Sequence, residues 1–336
     1  MLPQTSTASS PSPFVDCLNV LDVASRYHGG TATTVLRAIG VLALNRYVPD
    51  RIARPESLPV ALYHGSPEKP LITASDPHER PSNWRGATRQ RRLFGMNFDA
   101  LWHYLECGAY REDLPLWRAL VAEVGGPVLD VGAGTGRVTV DLAARGVAVV
   151  ALDIEAALLA ALERRATGLP VETVVADARQ LAMGRRFSLV IVPMQTLQLL
   201  GGARGRAAFL RRALTHLEPG GLLAAALADA MDCFDEERDT PPPADACEIA
   251  GVRYASQLLT AVDQGARAAI HRRREIIAPG KRCEAHNVVV ELDRVSASDV
   301  AAEAGQLGFL NQPHLYVPPT EHYLGSTVVV LQAPRE

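Results

Sequence analysis

The chain has 336 residues, 48% of them apolar and 21% charged, with a formal net charge of −3. This is the make-up of a folded chain long enough for one main domain and an accessory region. A charge so near zero supplies no field for a polyanion or an anionic bilayer, which argues against nucleic acid and membrane and for a small-molecule partner.

Residues 1–14 are rich in Ser, Thr and Pro and lack a basic start followed by an apolar run, so no secretory leader is expected. The apolar-leaning run 35–44 is broken by Arg37 and Gly40 and is too short to span a bilayer. The five cysteines, Cys17, Cys107, Cys233, Cys247 and Cys283, are scattered and form no CxxC. They read as reduced thiols of a cytoplasmic protein, with neither a disulfide frame nor a metal site. Helical spacing over 13–44 and an irregular Pro- and Ser-rich stretch over 54–84 make residues 1–95 a tail and helical cap. The cluster Arg85, Arg89, Arg91 and Arg92 at its end reads as a solvated face. Phe94, Phe98, Leu101 and Leu105 then form one apolar stripe, predicting a helix over 93–107, and a second helix is expected over 116–124.

From here strand, turn and helix repeat. Strands are expected at 127–131, 148–152, 171–176, 187–192 and 221–227, and helices at 136–145, 155–165 and 207–216. Nearly continuous apolar strands alternating with helices predict an α/β fold, a doubly wound and mostly parallel sheet buried on both faces. This core spans 96–231. An acidic, Pro-rich loop over 236–245 precedes three strand-like runs at 252–262, 266–277 and 285–292, which read as an inserted antiparallel platform over 232–295. The alternation in 272–277 is imperfect. The remainder, 296–336, supplies a helix over 299–307 with Ser298 as its N-cap and Gly308 as its stop, then strands at 310–317 and 327–331.

The strongest chemical signal is Val128-Leu129-Asp130-Val131-Gly132-Ala133-Gly134-Thr135-Gly136-Arg137. A strand ends, three glycines follow at alternate positions, and a helix starts. Glycines permit a sharp turn and let a ligand lie against the backbone, and the helix start offers free N–H groups. A dinucleotide turn of the form G-x-G-x-x-G needs a glycine at position 137, where this chain has Arg137. The expected sites stand at carboxyl ends of strands: Asp153 after the second, Asp177-Ala178 after the third, Pro193-Met194-Gln195 after the fourth.

This arrangement resembles the class I methyltransferase family that uses S-adenosylmethionine (SAM). The likeness covers 96–231 well, the C-terminal part loosely and 1–90 barely. It implies a seven-stranded Rossmann-like sheet and SAM as cofactor. It also implies that Asp130, Gly132, Ala133, Gly134 and Gly136 line the methionine part of SAM. Asp153 and Ile154 would hold ribose and pack on adenine, with Asp177 and Ala178 at the adenine edge. Pro193, Met194 and Gln195 would lie near the sulfonium and the acceptor. His103, Tyr104 and Tyr110 precede the turn, where a family tyrosine often closes over SAM, and His322 is a candidate general base. The Asn/Asp-Pro-Pro-aromatic run of enzymes acting on bases or amides is absent after the fourth strand. The implied activity is therefore methyl transfer to O, N or C of a small molecule of secondary metabolism. Three other readings stay open. SAM's aminobutyrate arm would be transferred or cyclised, releasing methylthioadenosine; SAM would be bound without catalysis; or a nicotinamide would be bound, which Arg137 disfavours.

Overall fold

Residues 97–228, 234–235, 243–320 and 325–335 are described in the computed structural model of the chain. The expected cap over 1–95 and the candidate base His322 lie outside these residues.

Unbroken apolar runs become the central strands. β1 (Val128–Val131), β2 (Val149–Asp153) and β4 (Phe187–Val192) are buried along their whole length, and β3 (Val171–Val175) forms one edge. β5 (Leu217–Leu227) begins four residues earlier than expected and pairs parallel to β4. The sheet order is β11-β13-β5-β4-β1-β2-β3, with β12 also paired to β13. β13 (Ser326–Gln332) runs antiparallel to β5, and β11 (Leu310–Asn311) and β12 (Leu315–Val317) both lie on its far side. Sequence reading joins these two short strands into one. Pro313, which has no N–H for a ladder, lies in the gap between them.

Helices cover both faces. α2 (Leu114–Val124) and α3 (Arg137–Ala143) bury Trp117, Leu120, Val138 and Leu142 against one side. α5 (Gly202–His216) and α6 (Ala297–Gly305) bury Phe209, Leu210, Val300 and Ala304 against the other. α4 (Ala156–Arg165) closes Leu159 and Leu162 over Ala133 and Ala151. Chain order runs outward from β1 to β3, then crosses to β4, so the switch in direction falls between β1 and β4. An open α/β sheet binds ligands at that point, beyond the carboxyl ends of the strands.

Two of the helix starts that differ from expectation have a visible cause. α5 opens five residues early because Gly201 and Gly202 both take positive φ, 84° and 76°, and the Asp293 carboxylate accepts the Gly202 N–H. α6 is capped by Ser296, not Ser298. The Ser296 hydroxyl accepts from Asp299 N at 3.1 Å, and Asp299 reaches back to complete a capping box. Ser298 only meets Ser296 Oγ at 2.8 Å.

The platform has five strands, not the three expected. β8 (Val252–Asp263), β9 (Arg267–Ile277) and β10 (Glu284–Asp293) match the expected runs; β6 (Phe234–Asp235) and β7 (Asp245–Ile249) are added, both on β8. The β7–β8 hairpin turns through Ala250 and Gly251, both at positive φ (50° and 76°). Such a turn favours Asn-Gly or Asp-Gly, so alanine in its first position hides the hairpin from the sequence. The imperfect alternation in β9 also has a cause: Arg272 is 3% exposed, pointing inward to Asp245 and Ser256.

α1 (Phe98–Cys107) starts at Asn97, whose side chain accepts from Ala100 N at 3.1 Å. Its apolar stripe is only part of what it buries. Trp102 and Phe98 meet the Tyr254 ring of β8, and Tyr104 meets Arg165 of α4, so α1 is packed between core and platform. Among the described residues, no helix is long and apolar enough to cross a membrane.

Candidate active site at the turn after the first strand

Gly132, Gly134 and Gly136 take φ of 72°, 56° and 84°, a region that L side chains rarely occupy. Gly132 N and Ala133 N donate to Leu152 O, at 2.8 and 3.0 Å, tying the turn to β2. Both Asp153 oxygens also accept backbone N–H groups: Gly134 N at 2.8 Å and Glu155 N at 2.9 Å. The β2 tip and the glycine turn are therefore held together through one buried carboxylate. A carboxylate has about four acceptor positions, so Asp153 keeps capacity for two further donors.

The glycines have a second role that spacing did not reveal. A Cβ on Gly132 would overlap the Thr196 side chain, and one on Gly134 would overlap the His103 ring. Thr196 comes from the turn after β4, where its Oγ1 donates to Pro193 O at 3.1 Å. Pro193, Met194 and Gln195 form that turn, and Met194 sits at φ 55°, a left-handed conformation for a residue with a side chain. Adjacent strands thus bring the expected acceptor-side segment directly against the glycine turn.

Asp130 is 1% exposed. Its Oδ2 accepts from Thr139 Oγ1 at 2.6 Å, while Oδ1 has no hydrogen-bond partner among the described residues. Burial pushes this carboxyl up to about 6. At the edge of the site, Ile154 is 57% exposed although apolar. Asp177 is bound to its neighbour: Arg179 donates from its backbone (2.9 Å) and its guanidinium (2.7 Å), which holds the carboxyl below its usual range. Ala178 is buried beside it.

Arg137, the residue that breaks the dinucleotide pattern, is a buried clasp. It forms two hydrogen bonds to Asp113 (2.5 and 2.7 Å), donates to Tyr110 O at 3.1 Å and lies 4.9 Å over the Tyr110 ring. Tyr110 is thereby fixed in the connection between α1 and α2, and burial raises its phenol well above the ordinary value.

The residues that sequence reading did not single out lie on α1 and the platform. Glu106 accepts from Arg274 at 2.7 Å through both oxygens and from Ser256 Oγ at 2.7 Å; Arg272 joins Ser256 to Asp245. Burial alone pushes the Glu106 carboxyl up, but the Arg274 hydrogen bonds and charge outweigh it and hold the group ionised. The only advance signal was the run His271-Arg272-Arg273-Arg274 in a strand that otherwise alternates.

Residues 128–221 match the family model described as a methyltransferase domain. The curated cypemycin N-terminal methyltransferase of Streptomyces sp is 36% identical over 111 residues, which is 33% of this chain and 43% of that protein. The chain thus matches less than half the length of this relative. Among solved structures, the sugar N-methyltransferase KedS8 of Streptoalloteichus sp superposes with a TM-score of 0.51 at 19% identity, covering 80% of this chain and 100% of that one. SAM-bound CalS10, an amino pentose methyltransferase of Micromonospora echinaspora, superposes with a TM-score of 0.50 at 19% identity, covering 76% of this chain and 99% of that one. At such identities these two likenesses concern the fold.

Proposed function

We propose that this chain, whose residues 128–221 match the methyltransferase-domain family model, is a class I SAM-dependent enzyme that transfers a methyl group from SAM to an amine of a small molecule of secondary metabolism. The observation that carries the reading is the site's unused acceptor capacity beside a glycine turn held at positive φ. Asp130 Oδ1 is buried without a partner, and Asp153 holds the β2 tip to Gly134. Buried polar atoms are rarely left unpaired, so the orphaned oxygen fits a ligand carrying an ammonium group, which the methionine end of SAM has.

When bound, SAM supplies a methyl carbon activated by a positively charged sulfur. Asp130 and the turn Gly132, Ala133, Gly134 and Gly136 would hold its amino-acid end. Asp153 would accept the ribose hydroxyls through its two remaining positions. Ile154 would cover adenine, which accounts for an exposed apolar side chain at a strand tip, and Asp177 with Ala178 would edge the ring. Pro193, Met194 and Gln195 would border the methyl group and the acceptor. The protein's contribution is to align acceptor, methyl carbon and sulfur and to exclude water. The amine is favoured over oxygen or carbon because the relatives above are named for N-terminal, sugar-N and amino-pentose methylation.

The test is incubation of the full chain with SAM and two amine probes, glucosamine and an alanyl dipeptide, with mass analysis of products. S-adenosylhomocysteine together with a methylated amine is the expected outcome. Methylthioadenosine would instead establish chemistry at the aminobutyrate arm. Absence of any heat of binding for SAM or S-adenosylhomocysteine to folded protein would remove the proposal altogether.

A further inference from the structure

We propose that His103 is the proton acceptor of this site, placed by α1 between the glycine turn and the platform so that its Nε2 meets the amine of the acceptor. The inference rests on the amine-methylation reading above and adds a residue to it.

Position, ring tautomer and charge converge on this role. The first is position. The imidazole edge carrying Cε1 and Nε2 lies over Gly134, in the space a side chain there would occupy. On the same turn of helix, Glu106 at i+3 is bonded to Arg274 and Ser256 of the platform. His103 therefore stands between the glycine turn and the residue of α1 that is bonded to the platform.

The second is tautomer. Nδ1 lies 3.3 Å from Thr135 Oγ1, and Thr135 is itself buried within the turn. The proposed step takes Nδ1–H as the donor to that hydroxyl, which leaves the lone pair on Nε2; Nε2 has no hydrogen-bond partner among the described residues. Histidine function depends on such an assignment, in which one ring nitrogen's partner decides the other's role.

The third is charge. The groups facing the ring are Asp153 of the β2 tip, Glu106 of α1 itself, Arg137 of α3 and Arg274 of β9. The two carboxylates favour a protonated ring, while both arginines oppose it. Burial is the largest influence and, with the arginines, holds the ring below its ordinary value, so it is unprotonated near neutral pH. A free amine is needed for attack, yet an aliphatic amine is an ammonium ion at neutral pH. In the proposed step the ammonium gives a proton to Nε2. The nitrogen lone pair then forms the bond to the methyl carbon, and the carbon–sulfur bond breaks with its pair moving to sulfur, which leaves as a neutral thioether. The imidazolium returns its proton to solvent.

The experiment compares wild type with His103→Gln and Thr135→Val by calorimetry with S-adenosylhomocysteine, and by kcat on glucosamine and the alanyl dipeptide from about pH 6 to about pH 10, the range that spans imidazole and amine ionisation. For His103→Gln we expect S-adenosylhomocysteine affinity within about threefold of wild type but kcat near neutral pH lower by about 100-fold or more, the usual contribution of a positioned base. The loss should shrink toward high pH, where the amine deprotonates unaided; a merely structural defect would not follow pH in this way. Thr135→Val keeps the imidazole and should lose less. An unchanged pH limb and kcat within about threefold in His103→Gln overturn the inference while leaving methyl transfer standing. Equal loss at every pH, or loss of S-adenosylhomocysteine binding with kcat retained, also overturns it. If His103→Gln does not fold, the imidazole ¹⁵N shifts of wild type with S-adenosylhomocysteine decide. An unprotonated Nε2 at neutral pH supports the assignment and a protonated one overturns it. Wild type that binds S-adenosylhomocysteine but methylates neither amine overturns the amine reading and this inference with it.

Discussion

Two parts of the molecule bury charge, and they differ in whether all of its polar capacity is used. Among the described residues of the platform and α1, buried charges are matched: Arg272 with Asp245 and Ser256, Arg274 with Glu106. In the parallel core, Asp130 keeps an oxygen without a partner among the described residues, and Met194 and three glycines hold left-handed backbone conformations nearby. The first pattern describes a scaffold that joins α1 to a sheet. The second keeps polar capacity and backbone strain unrelieved, which is where ligand chemistry belongs.

The comparison is most sharply tested at the scaffold. Arg272→Met removes the guanidinium from which the buried Asp245 carboxylate accepts, so the substitution should cost about 3–5 kcal/mol in urea unfolding, and adding Asp245→Leu should recover most of it. Little recovery in the double variant would show that the pair is not an isolated unit. At the turn, Gly134→Ala combines positive φ with overlap on His103. It should lose on the order of 2–4 kcal/mol of stability and abolish S-adenosylhomocysteine binding in calorimetry.

Asp130→Asn carries the opposite sign for stability. The carboxyl is pushed up from 3.8 to about 6, so the fold prefers it protonated. Its destabilisation is fully present above about pH 6 and fades as pH falls toward 4. The asparagine variant should melt higher than wild type at pH 7.5, by on the order of 2–3 kcal/mol, with the gap closing in acid. Its affinity for S-adenosylhomocysteine should fall. A variant that melts lower at pH 7.5 would mean that Asp130 is paired in solution. The smallest effect is at the last helix: Ser296→Ala should cost about 1 kcal/mol, while Ser298→Ala should leave the melting temperature unchanged.

Much of the core was legible because its signals are local. Four-to-six-residue apolar runs named the buried strands, and Gly132, Gly134 and Gly136 after β1 named the turn. The platform was legible only in outline. Its fourth and fifth strands were obscured by Ala250 in a turn that favours Asn or Asp, and by strand β6 of only two residues. Ser298 was preferred as a cap because it adjoins Asp299, whereas the capping box depends on the Ser296-to-Asp299 spacing. The candidate cofactor residues were named from motif resemblance. Their companions Thr196 and Glu106 were not, and His103 was named only for its place before the turn, since each acquires its role from a partner at least 30 positions away or on another element.

By itself the amino-acid order determined a parallel sheet buried on both faces, a glycine turn at its first strand and acids on the next two strand tips. These follow from hydrophobic periodicity and backbone freedom, which act between near neighbours. Only the tertiary structure decided that the space over Gly134 belongs to His103, that Arg137 clasps the α1–α2 connection, and that Glu106 reaches the platform. Those outcomes depend on how separate elements pack, and burial, which turns such contacts into shifted proton affinities, exists only once they have packed.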